Sequence, residues 1–403
     1  MTNEPIAIVG ASLAGLNAGL ELRRRGVAGR LVVIGDEPHR PYDRPPLSKE
    51  LLRGDWPDAQ ADLRFDEAEL GAEWRLGRKA VSLGAAARRI GLDDGSEEVF
   101  AGGIVIATGA APRMLPGARL AGVHILRSLD DTVALRRELA DAPAVAVIGA
   151  GFVGQEVAAS ARKLGKAVTM IEATAPARHV VGEDIAMRIA AIHRAQGVDV
   201  RLGVSVAALE GHDRLEGVRL SDGSVIPATI AVVGIGVHPA TEWLEGSGLT
   251  LDNGVLCDET CLAAPGIVAC GDIARWPNRR YGEFRRVEHW DNAVRMAVHA
   301  ARRLLAEDGT PGATLPYTPV PWFWSDQYGA KFQLVGSAYD HHEVRIASDG
   351  DKLLALFRRD NRLTAVFGMS NAKRILTFRK LLENDPSWHE GLAAAGLDAA
   401  VAA

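Results

Sequence analysis

The sequence predicts an α/β protein with two doubly wound, Rossmann-like domains and a third, α+β domain at the C-terminus. Three observations predict this class. A short apolar run, a glycine-rich turn and a helical pattern occur in that order twice, at residues 5–26 and again at residues 144–165. Other short apolar runs end in glycine, which is typical of strands that meet a ligand at the edge of a doubly wound sheet. After residue 319 the pattern changes to the alternation of antiparallel strands.

The elements follow in chain order. The first strand, turn and helix lie in PIAIVGASLAGLNAGLELRRRG, and LVVIGD at 31–36 is the next strand. The second set is AVAVIGAGFVGQEVAASARKLG, followed by the strand AVTMIE at 167–172. Further buried strands are expected at 103–110, 229–239 and 266–272. The C-terminal part contains four alternating segments and a helical pattern, NAKRILTFRKLLEN.

Composition excludes several classes of protein. At roughly 100 to 200 residues per domain, 403 residues correspond to two or three domains. The net charge of -5 lacks the basic excess of nucleic-acid-binding proteins, so we expect no nucleic-acid partner. No run approaches the ~20 apolar residues of a membrane helix, and the first residues have no basic region typical of a signal peptide. We therefore expect no membrane association and a cytoplasmic location.

The three cysteines, Cys257, Cys261 and Cys270, are odd in number and form no C-x-x-C pair. A disulfide framework is therefore not expected. No second pair of cysteine or histidine ligands at zinc-binding spacing accompanies them, so we expect no metal site.

The first glycine-rich turn has the spacing of a dinucleotide-binding fingerprint. Its residues are Gly10, Ala11, Ser12, Leu13, Ala14 and Gly15, with Ser12 in place of the second glycine. Asp36 lies 21 residues after Gly15, where a carboxylate accepts hydrogen bonds from ribose hydroxyls. The free N–H groups at the start of the following helix would receive a pyrophosphate. The alternative is an ordinary tight turn between strand and helix.

The second turn matches the fingerprint in full, with Gly149, Gly151 and Gly154 around Phe152 and Val153. Glu172 follows 18 residues later, at the end of the next strand. A carboxylate there would accept from a ribose 2′-hydroxyl and repel a 2′-phosphate, which favours NADH over NADPH. Arg178 is close enough in sequence to weaken this preference.

Two fingerprints in one chain predict two dinucleotides, and the economical pair is one bound flavin and one exchanging nicotinamide coenzyme. Over residues 5–310 the chain resembles the FAD-dependent pyridine nucleotide-disulfide oxidoreductase superfamily. The motifs that carry this resemblance are ATG at Ala107, Thr108 and Gly109 and GD at Gly271 and Asp272. The resemblance implies that Asp272 binds the flavin ribityl chain.

Residues 1–256 contain no cysteine, so the redox disulfide of that superfamily is missing. Two other motifs, PHRPYDRPPLSKEL at 38–51 and PWFWSDQ at 321–327, resemble oxygenase-coupled NADH:ferredoxin reductases of the putidaredoxin reductase and biphenyl dioxygenase reductase type. This closer resemblance extends over nearly the whole chain. It implies FAD and NADH as cofactors and a [2Fe-2S] ferredoxin as partner.

The resemblance also implies roles for individual residues. Lys49 would lie beside the flavin and pair with Glu156, because a buried ammonium needs a carboxylate. Otherwise both would be solvent-exposed helix residues. Further flavin contacts are implied for Ala14, Val81, Arg127, Trp290 and Trp324, and a coenzyme contact for Gly236. The alternative for the two tryptophans is an ordinary place in the core.

Basic residues are concentrated in two segments of this acidic chain. Residues 352–380 contain eight Lys and Arg against one acid, and residues 275–303 contain eight Arg against three acids. A one-sided basic surface could steer an acidic electron-transfer partner. We expect the partner to bind at Lys373, Arg374, Arg379 and Lys380. The alternative is that these are solvated helix faces.

The sequence therefore predicts an FAD domain at 1–113 and 240–318, an NADH domain at 114–239 and an interface domain at 319–403. The predicted enzyme is an FAD-dependent NADH:ferredoxin oxidoreductase. It would pass hydride from NADH to FAD and single electrons to a ferredoxin that serves a Rieske dioxygenase or a cytochrome P450. The alternatives are a rubredoxin reductase, an NADH oxidase or an interaction protein resembling apoptosis-inducing factor. The sequence leaves open the cognate ferredoxin, the oxygenase and the oligomeric state.

Overall fold

The computed structural model describes residues 3–306, 314–350 and 352–397. The chain forms two compact units. Unit 1 comprises Met1–Asp43, Asp62–Ala111 and His238–Pro321. Unit 2 comprises Arg44–Ala61, Pro112–Val237 and Trp322–Ala403.

Unit 1 is built on a six-stranded sheet. In spatial order its strands are Leu262–Ala264, Ile267–Ala269, Gly103–Ile106, Ile6–Val9, Leu31–Gly35 and Glu73–Leu76. All neighbours are parallel except the first pair. The strand Ile6–Val9 is buried along its whole length because sheet neighbours and helices cover it. Helices Leu13–Arg24 and Trp290–Leu304 pack against each other beside the sheet.

The smaller elements of unit 1 surround this sheet. A three-stranded sheet contains Ala80–Gly84, Arg89–Leu92 and Glu97–Val99, and another contains Val255–Leu256, Ala274–Asn278 and Glu283–Arg285. The remaining elements are the helix Glu67–Leu70 and the 3₁₀ turns Glu242–Leu244 and Gly271–Ile273. Two short strands, Ala110–Pro112 and Val237–Pro239, lie where the chain passes between the two units.

Unit 2 contains a parallel five-stranded sheet. Its strands, in spatial order, are Val198–Leu202, Ala167–Glu172, Ala144–Ile148, Ala231–Val233 and Val123–Ile125. The associated helices are Leu129–Asp141, Phe152–Lys163, Arg178–Val181 and Glu183–Ala195. A small antiparallel sheet contains Val206–Glu210, Gly217–Leu220 and Val225–Pro227. The segment from residue 44 contributes the helix Glu50–Arg53 between the 3₁₀ turns Pro45–Ser48 and Asp58–Ala61.

The C-terminal part of unit 2 is an antiparallel sheet with two helices. In spatial order its strands are Trp322–Gln327, Ala330–Gly336, Arg362–Met369, Lys352–Arg359 and Glu343–Asp349. The helices are Ala372–Leu382 and Trp388–Ala395. Phe332, Phe357 and Phe367 are fully buried in its core.

The predicted fold class is therefore confirmed: two sheets of doubly wound type and a C-terminal α+β part are present. The three-domain division remains a prediction, and the segment Arg44–Ala61 belongs to unit 2. Within the described ranges, no helix combines the length and apolarity that crossing a lipid bilayer requires.

Candidate functional site

The first dinucleotide turn lies in unit 1, between the strand Ile6–Val9 and the helix Leu13–Arg24. Gly10 has a φ of 120°, and a Cβ there would lie 2.1 Å from the carbonyl oxygen of Ala107. A Cβ at Gly15 would lie 1.9 Å from the carbonyl oxygen of Gly10. Both positions therefore require glycine because the backbone approaches too closely for any side chain.

The other residues predicted for the flavin in unit 1 follow neighbouring strands of the same sheet. The strands that end at Val9, Ile106 and Ala269 are adjacent and parallel. Their carboxyl ends therefore bring three segments together at one edge: residues 10–15, 107–109 and 271–272. Asp36, which is exposed, follows the strand on the other side of Ile6–Val9. This is the edge at which doubly wound sheets bind ligands.

Small residues allow these segments to pack closely. A Cβ at Gly271 would lie 3.1 Å from the Cβ of Ala14, and Gly271 has a φ of 75°. The Thr108 hydroxyl donates to the carbonyl of Ala240 at 3.2 Å, which fixes the segment after its strand. The backbone carbonyl of Asp272 accepts from Arg286 at 3.1 Å.

Two further predicted flavin residues of unit 1 belong to other elements than these three segments. Val81 belongs to the separate three-stranded sheet, and its side chain is largely exposed. Trp290 is the first residue of its helix, is 36% exposed, and donates from Nε1 to Asp43 Oδ1 at 2.7 Å. The indole is therefore not an ordinary core residue.

The second dinucleotide turn lies in unit 2, before the helix Phe152–Lys163. Gly149 has a φ of 95°, and a Cβ there would lie 2.3 Å from the carbonyl oxygen of Gly234. A Cβ at Gly154 would lie 2.1 Å from the carbonyl oxygen of Gly149. At Gly151, in contrast, a Cβ would meet no protein atom within 4 Å. The protein's own packing does not require that glycine, so it leaves room for a ligand.

Glu172 supports this turn directly. Its Oε2 accepts from the backbone N–H of Ala150 at 2.9 Å, and its Oε1 accepts from the N–H of Thr174 at 3.0 Å. Oε1 also accepts from the Thr174 hydroxyl at 3.1 Å. A carboxylate offers about four acceptor positions, two on each oxygen, so Oε2 can still accept from a ribose hydroxyl. Gly236, with a φ of 94°, follows the neighbouring strand Ala231–Val233. Its position at the carboxyl end of that strand places it at the same sheet edge as the turn.

Lys49 and Glu156 form a buried ion pair in unit 2. Lys49 Nζ lies 2.7 Å from Glu156 Oε2, and both side chains are 7% exposed. The Ser48 hydroxyl donates to Glu156 Oε2 at 2.5 Å, and the Ser325 hydroxyl donates to Oε1 at 2.6 Å. Neither residue is the solvent-exposed helix residue that was the alternative. Because desolvating two charges costs several kcal/mol each, such a pair needs these additional hydrogen bonds.

The chain that carries Lys49 is fixed to the helix that carries Glu156. The Ser160 hydroxyl, one turn further along that helix, donates to the backbone carbonyl of Ser48 at 2.7 Å. Arg53 donates to the Ser160 hydroxyl at 3.2 Å. The Pro45–Ser48 turn begins with two prolines, which restrict the backbone before Lys49. The position of the ammonium group is therefore determined by the helix of the second dinucleotide turn.

Arg127 and Trp324 also belong to unit 2. The Arg127 backbone N–H donates to Asp131, and its carbonyl accepts a hydrogen bond from Arg44. The Trp324 ring packs on Trp322 with centroids 5.1 Å apart. Both Arg127 and Trp324 are partly exposed.

The four basic residues predicted to bind a partner are not equivalent. Lys373 and Lys380 are exposed on the helix Ala372–Leu382. Arg374 donates to the carbonyl of Ala395 at 2.6 Å, at the end of the last helix, and the Arg379 guanidinium lies 4.8 Å from the centre of the Trp322 ring. Two of the four thus have structural contacts within the C-terminal part.

The three cysteines are unpaired and buried in unit 1. Burial raises the pKa of all three thiols, that of Cys270 to about 12. The thiolate is the reactive form, so these cysteines are chemically inert at neutral pH.

Two helices that follow glycine-rich turns keep their first N–H groups free of side-chain caps and have no acidic residue in the first turn. The helix Leu129–Asp141 is different, since Ser128 and Asp131 form a capping box at its start. Uncapped N–H groups beside a close-packed turn suit an anionic pyrophosphate. The residues present therefore fit two dinucleotides, one in each unit.

The fold and these two turns define a dinucleotide-dependent oxidoreductase. Residues 4–297 match the model of the pyridine nucleotide-disulphide oxidoreductase family, and residues 322–399 match that of the reductase C-terminal domain. The chain belongs to this family, as the sequence predicted, and is an FAD-dependent oxidoreductase that uses NAD(H).

Relatives with similar sequences and structures extend this comparison. The chain is 40% identical to the ferredoxin–NAD(+) reductase component of the p-cumate 2,3-dioxygenase system of Pseudomonas putida, over 88% of this chain and 87% of the relative. It is 35% identical to the ferredoxin reductase for the CYP199A2 system from Rhodopseudomonas palustris, with a TM-score of 0.89 and 96% of each chain covered. A putidaredoxin reductase, solved in a covalent complex with putidaredoxin, is 28% identical with a TM-score of 0.88, over 96% of this chain and 94% of that one.

Sequence reasoning missed Ser48 and Ser325, which donate to Glu156, and Gln327 and Gln155, which extend this hydrogen-bond network from Ser325. One pattern could have found two of them. In WFWSDQ, strand alternation places Ser325 and Gln327 on one face of the strand and Trp324 on the other. Two adjacent polar residues on one face of a strand rich in aromatic residues indicate a buried polar contact.

Proposed function

We propose that this protein is an NADH-dependent ferredoxin reductase that uses FAD to pass electrons from NADH to a [2Fe-2S] ferredoxin serving an oxygenase. The observation that carries the proposal is the presence of two close-packed dinucleotide turns in one chain, at Gly10–Gly15 and Gly149–Gly154. The similar proteins from P. putida and R. palustris, which are reductase components of oxygenase systems, support the choice of acceptor. The proposed domains are those predicted from sequence, with FAD bound by 1–113 and 240–318, NADH by 114–239 and the partner by 319–403.

In unit 1, the proposed role of the turn is to hold the FAD pyrophosphate at the start of the helix Leu13–Arg24. The carboxylate of Asp36 accepts from ribose hydroxyls, and Asp272 binds the ribityl chain. The chemistry that bound FAD supplies is the uptake of two electrons as a hydride and their release one at a time. No reactive thiol is needed for this role, which agrees with the inert, buried state of Cys257, Cys261 and Cys270.

In unit 2, the proposed role of the helix Phe152–Lys163 is to receive the NADH pyrophosphate. Glu172 accepts from the ribose 2′-hydroxyl while it supports the turn through Ala150. A phosphate at that hydroxyl would lie against the carboxylate, so like-charge repulsion disfavours NADPH.

The Lys49 ammonium supplies a fixed positive charge in a water-poor place, which Glu156 and two serine hydroxyls hold in position. A charge that is already oriented requires no reorganisation when negative charge develops on a bound group. We therefore assign Lys49 the role of stabilising negative charge on reduced FAD. The role of Glu156 is to hold Lys49 in position. Trp290 and Trp324 are proposed as flavin contacts.

The test of the function is a steady-state assay of NADH oxidation coupled to cytochrome c, with and without an added [2Fe-2S] ferredoxin. We expect turnover of cytochrome c to depend on the ferredoxin. Turnover that is the same without it would contradict the proposal, and NADH oxidation with oxygen as the acceptor would favour the NADH oxidase alternative. NADH oxidation that needs rubredoxin instead would favour a rubredoxin reductase. No turnover with any acceptor would favour an interaction protein.

The partner surface is tested by charge reversal at its two exposed lysines. The double variant Lys373→Glu/Lys380→Glu should lower kcat/KM for ferredoxin about tenfold at low ionic strength, because complementary charge steers association. Reduction of ferricyanide, which needs no protein docking, should be unchanged. Arg374 and Arg379 are left intact because they hold structural contacts. An equal loss with both acceptors would mean that these lysines are structural.

The proposal includes a cytoplasmic location. Its support is that Cys257, Cys261 and Cys270 are not joined in disulfides, since free thiols are typical of proteins in reducing compartments.

A further inference from the structure

The first strand of the C-terminal sheet, Trp322–Gln327, contributes two buried polar side chains on one face. Ser325 is fully buried and Gln327 is 1% exposed. The hydrogen-bond partners of both lie on the helix Phe152–Lys163 of the second dinucleotide turn. Buried polar groups without partners are costly, so this pairing is a specific feature of how the sheet meets the helix.

One branch of the contact ends at the ion pair. The Ser325 hydroxyl donates to Glu156 Oε1 at 2.6 Å, while Lys49 and Ser48 occupy Oε2. Ser325 is thus the donor that satisfies the second carboxylate oxygen. Without it, Glu156 Oε1 would be buried without a donor and the carboxylate could rotate away from Lys49.

The other branch ends at the backbone of the dinucleotide turn. Gln327 Nε2 donates to Gln155 Oε1 at 2.9 Å, and Gln155 Nε2 donates to the carbonyl of Ala150 at 2.8 Å. The N–H of Ala150 donates to Glu172. The carbonyl of Ala150 also accepts from the backbone N–H of Ala177 at 3.0 Å. Side chains therefore contact both backbone polar groups of Ala150, and one of them, Gln155, is in turn held by the C-terminal sheet.

The two branches are joined. Gln327 Nε2 also donates to the Ser325 hydroxyl at 3.0 Å. Gln155 and Glu156 are consecutive on their helix, so one pair of sheet residues holds both. A displacement of the strand would disturb the ion pair and the turn together.

The end of the strand is itself fixed. Tyr328, which follows Gln327, has its hydroxyl 2.7 Å from His193 Nδ1. Burial lowers the pKa of His193 to about 4, so the ring is neutral at physiological pH and Nδ1 can accept from the Tyr328 hydroxyl. The residue that follows Gln327 is therefore fixed to the helix Glu183–Ala195, which limits movement of the strand end.

We propose that Ser325 and Gln327 are positioning residues through which the C-terminal sheet sets the affinity for NADH and holds the Lys49–Glu156 pair in place. Gln327 acts on the second dinucleotide turn through Gln155, and Ser325 acts on Lys49 through Glu156. The inference rests on the proposed function, because it assigns the second turn to the nicotinamide coenzyme.

The main test is the variant Gln327→Leu, which keeps the side chain's approximate size and removes its hydrogen bonds. The measurement is the dissociation constant of NAD⁺ for the FAD-loaded protein by isothermal titration calorimetry, which does not depend on turnover. We expect the constant to rise about tenfold, which corresponds to about 1.4 kcal/mol.

A matched control is Gln333→Leu. Gln333 is buried in the same sheet, and its Oε1 has no hydrogen-bond partner in the described part of the chain. It lies on the strand Ala330–Gly336 and is the cross-strand partner of Trp324. Its side chain is therefore on the same face of the sheet as Trp324 and on the other face from Ser325 and Gln327. We expect this variant to bind NAD⁺ within about twofold of the wild type, whatever its melting temperature.

A double-mutant cycle tests the route. If Gln327 acts through Gln155, the double variant Gln327→Leu/Gln155→Leu should weaken NAD⁺ binding about as much as either single variant, about tenfold. Independent effects would multiply to about a hundredfold, and that result would overturn the proposed route.

The variant Ser325→Ala tests the other branch. We expect kcat for NADH:ferricyanide turnover to fall about tenfold while KM for NADH changes less than about twofold. A fall in melting temperature with no change in kcat would mean that Ser325 is only structural.

Failure of this inference and of the proposed function can be told apart. An unchanged NAD⁺ dissociation constant for Gln327→Leu overturns the inference, even if the wild type reduces ferredoxin. A wild type that fails with every ferredoxin contradicts the proposed function. The effect of Gln327→Leu on NAD⁺ binding would then still establish its link to the second turn.

Discussion

The two dinucleotide turns share their outer glycines and differ in the middle. A Cβ at Gly10 or Gly149 would lie 2.1 or 2.3 Å from a carbonyl oxygen at the end of the neighbouring strand. A Cβ at Gly15 or Gly154 would lie 1.9 or 2.1 Å from the carbonyl oxygen of the first glycine of its own turn. The outer glycines are therefore required by the packing of strand, turn and helix in both units.

The middle position is Ser12 in the first turn and Gly151 in the second. A side chain at 151 would meet no protein atom, and Ser12 makes no capping hydrogen bond to its helix. The protein itself thus allows a side chain at either middle position. The outer glycines are therefore required by the fold, whereas the protein's own packing does not require glycine at the middle position, so we expect a ligand to determine the residue there.

The largest effect is expected at the last glycine of each turn. Gly15→Ala and Gly154→Ala would each place a methyl group against a backbone carbonyl that cannot move without shifting the helix. Overpacking of this kind costs about 3 kcal/mol, which lowers the melting temperature by about 6 to 12 °C. Differential scanning calorimetry of each variant measures this directly.

The comparison predicts that the two variants behave alike, with loss of bound FAD for Gly15→Ala and weakened NAD⁺ binding for Gly154→Ala. A matched control is Gly151→Ala, because Gly151, like Gly15 and Gly154, has no positive φ, but a Cβ there would meet nothing within 4 Å. If Gly154→Ala melted no lower than this control, close packing would not be the reason for the glycine.

How well each feature of the fold and the site could be predicted from sequence depends on how far apart in the sequence the interacting residues are. The two turns and their strands were predicted because the pattern that defines them is local, with fixed spacing around Gly10 and Gly149. The antiparallel C-terminal strands were equally visible from their alternation.

Contacts between distant segments could not be predicted in the same way. The pairing of Lys49 with Glu156 was expected mostly from a family resemblance, and the contact of Ser325 with Glu156 was missed. These residues are 107 to 276 positions apart in the sequence, and no local rule connects them. Likewise, Lys373 and Arg374 are adjacent basic residues that the sequence does not distinguish. In the structure, Arg374 donates a hydrogen bond to the carbonyl of Ala395 at the end of the last helix.

The next largest effect is expected for Glu172→Arg, which replaces the carboxylate that supports the second turn. The change removes the acceptor for the ribose 2′-hydroxyl and the repulsion of a 2′-phosphate, each of which is worth about tenfold. The ratio of kcat/KM for NADH over NADPH should therefore fall about 100-fold.

The variant Glu172→Gln is the control for the hydrogen bond to Ala150. It keeps an acceptor for the Ala150 N–H, removes the charge and replaces the oxygen that accepts from Thr174 by an NH₂ group. It should therefore relax the coenzyme preference while the hydrogen bond to Ala150 is kept. If the ratio of kcat/KM for NADH over NADPH were unchanged in Glu172→Arg, Glu172 would not contact the ribose.

A smaller effect is expected when the second turn is given the middle residue of the first. Gly151→Ser should keep the melting temperature within about 2 °C, since the side chain meets open space and serine is a good helix N-cap. The dissociation constant of NAD⁺, measured by calorimetry, should rise about tenfold because the hydroxymethyl group occupies space that the pyrophosphate needs. Unchanged NAD⁺ binding would show that the middle glycine is not a ligand position.

The smallest effect is expected for the reciprocal change, Ser12→Gly. Replacing a serine N-cap by glycine costs only a few tenths of a kcal/mol, about 1 °C in melting temperature. The dissociation constant of FAD, measured by titrating the apoprotein and following flavin fluorescence, should change less than about threefold, because Gly10 and Gly15 already fix the turn. A tenfold or greater loss of FAD affinity would mean that the Ser12 hydroxyl binds the cofactor. The two middle residues would then be alternative ways of holding a pyrophosphate, one through a side chain and one through close approach of the backbone.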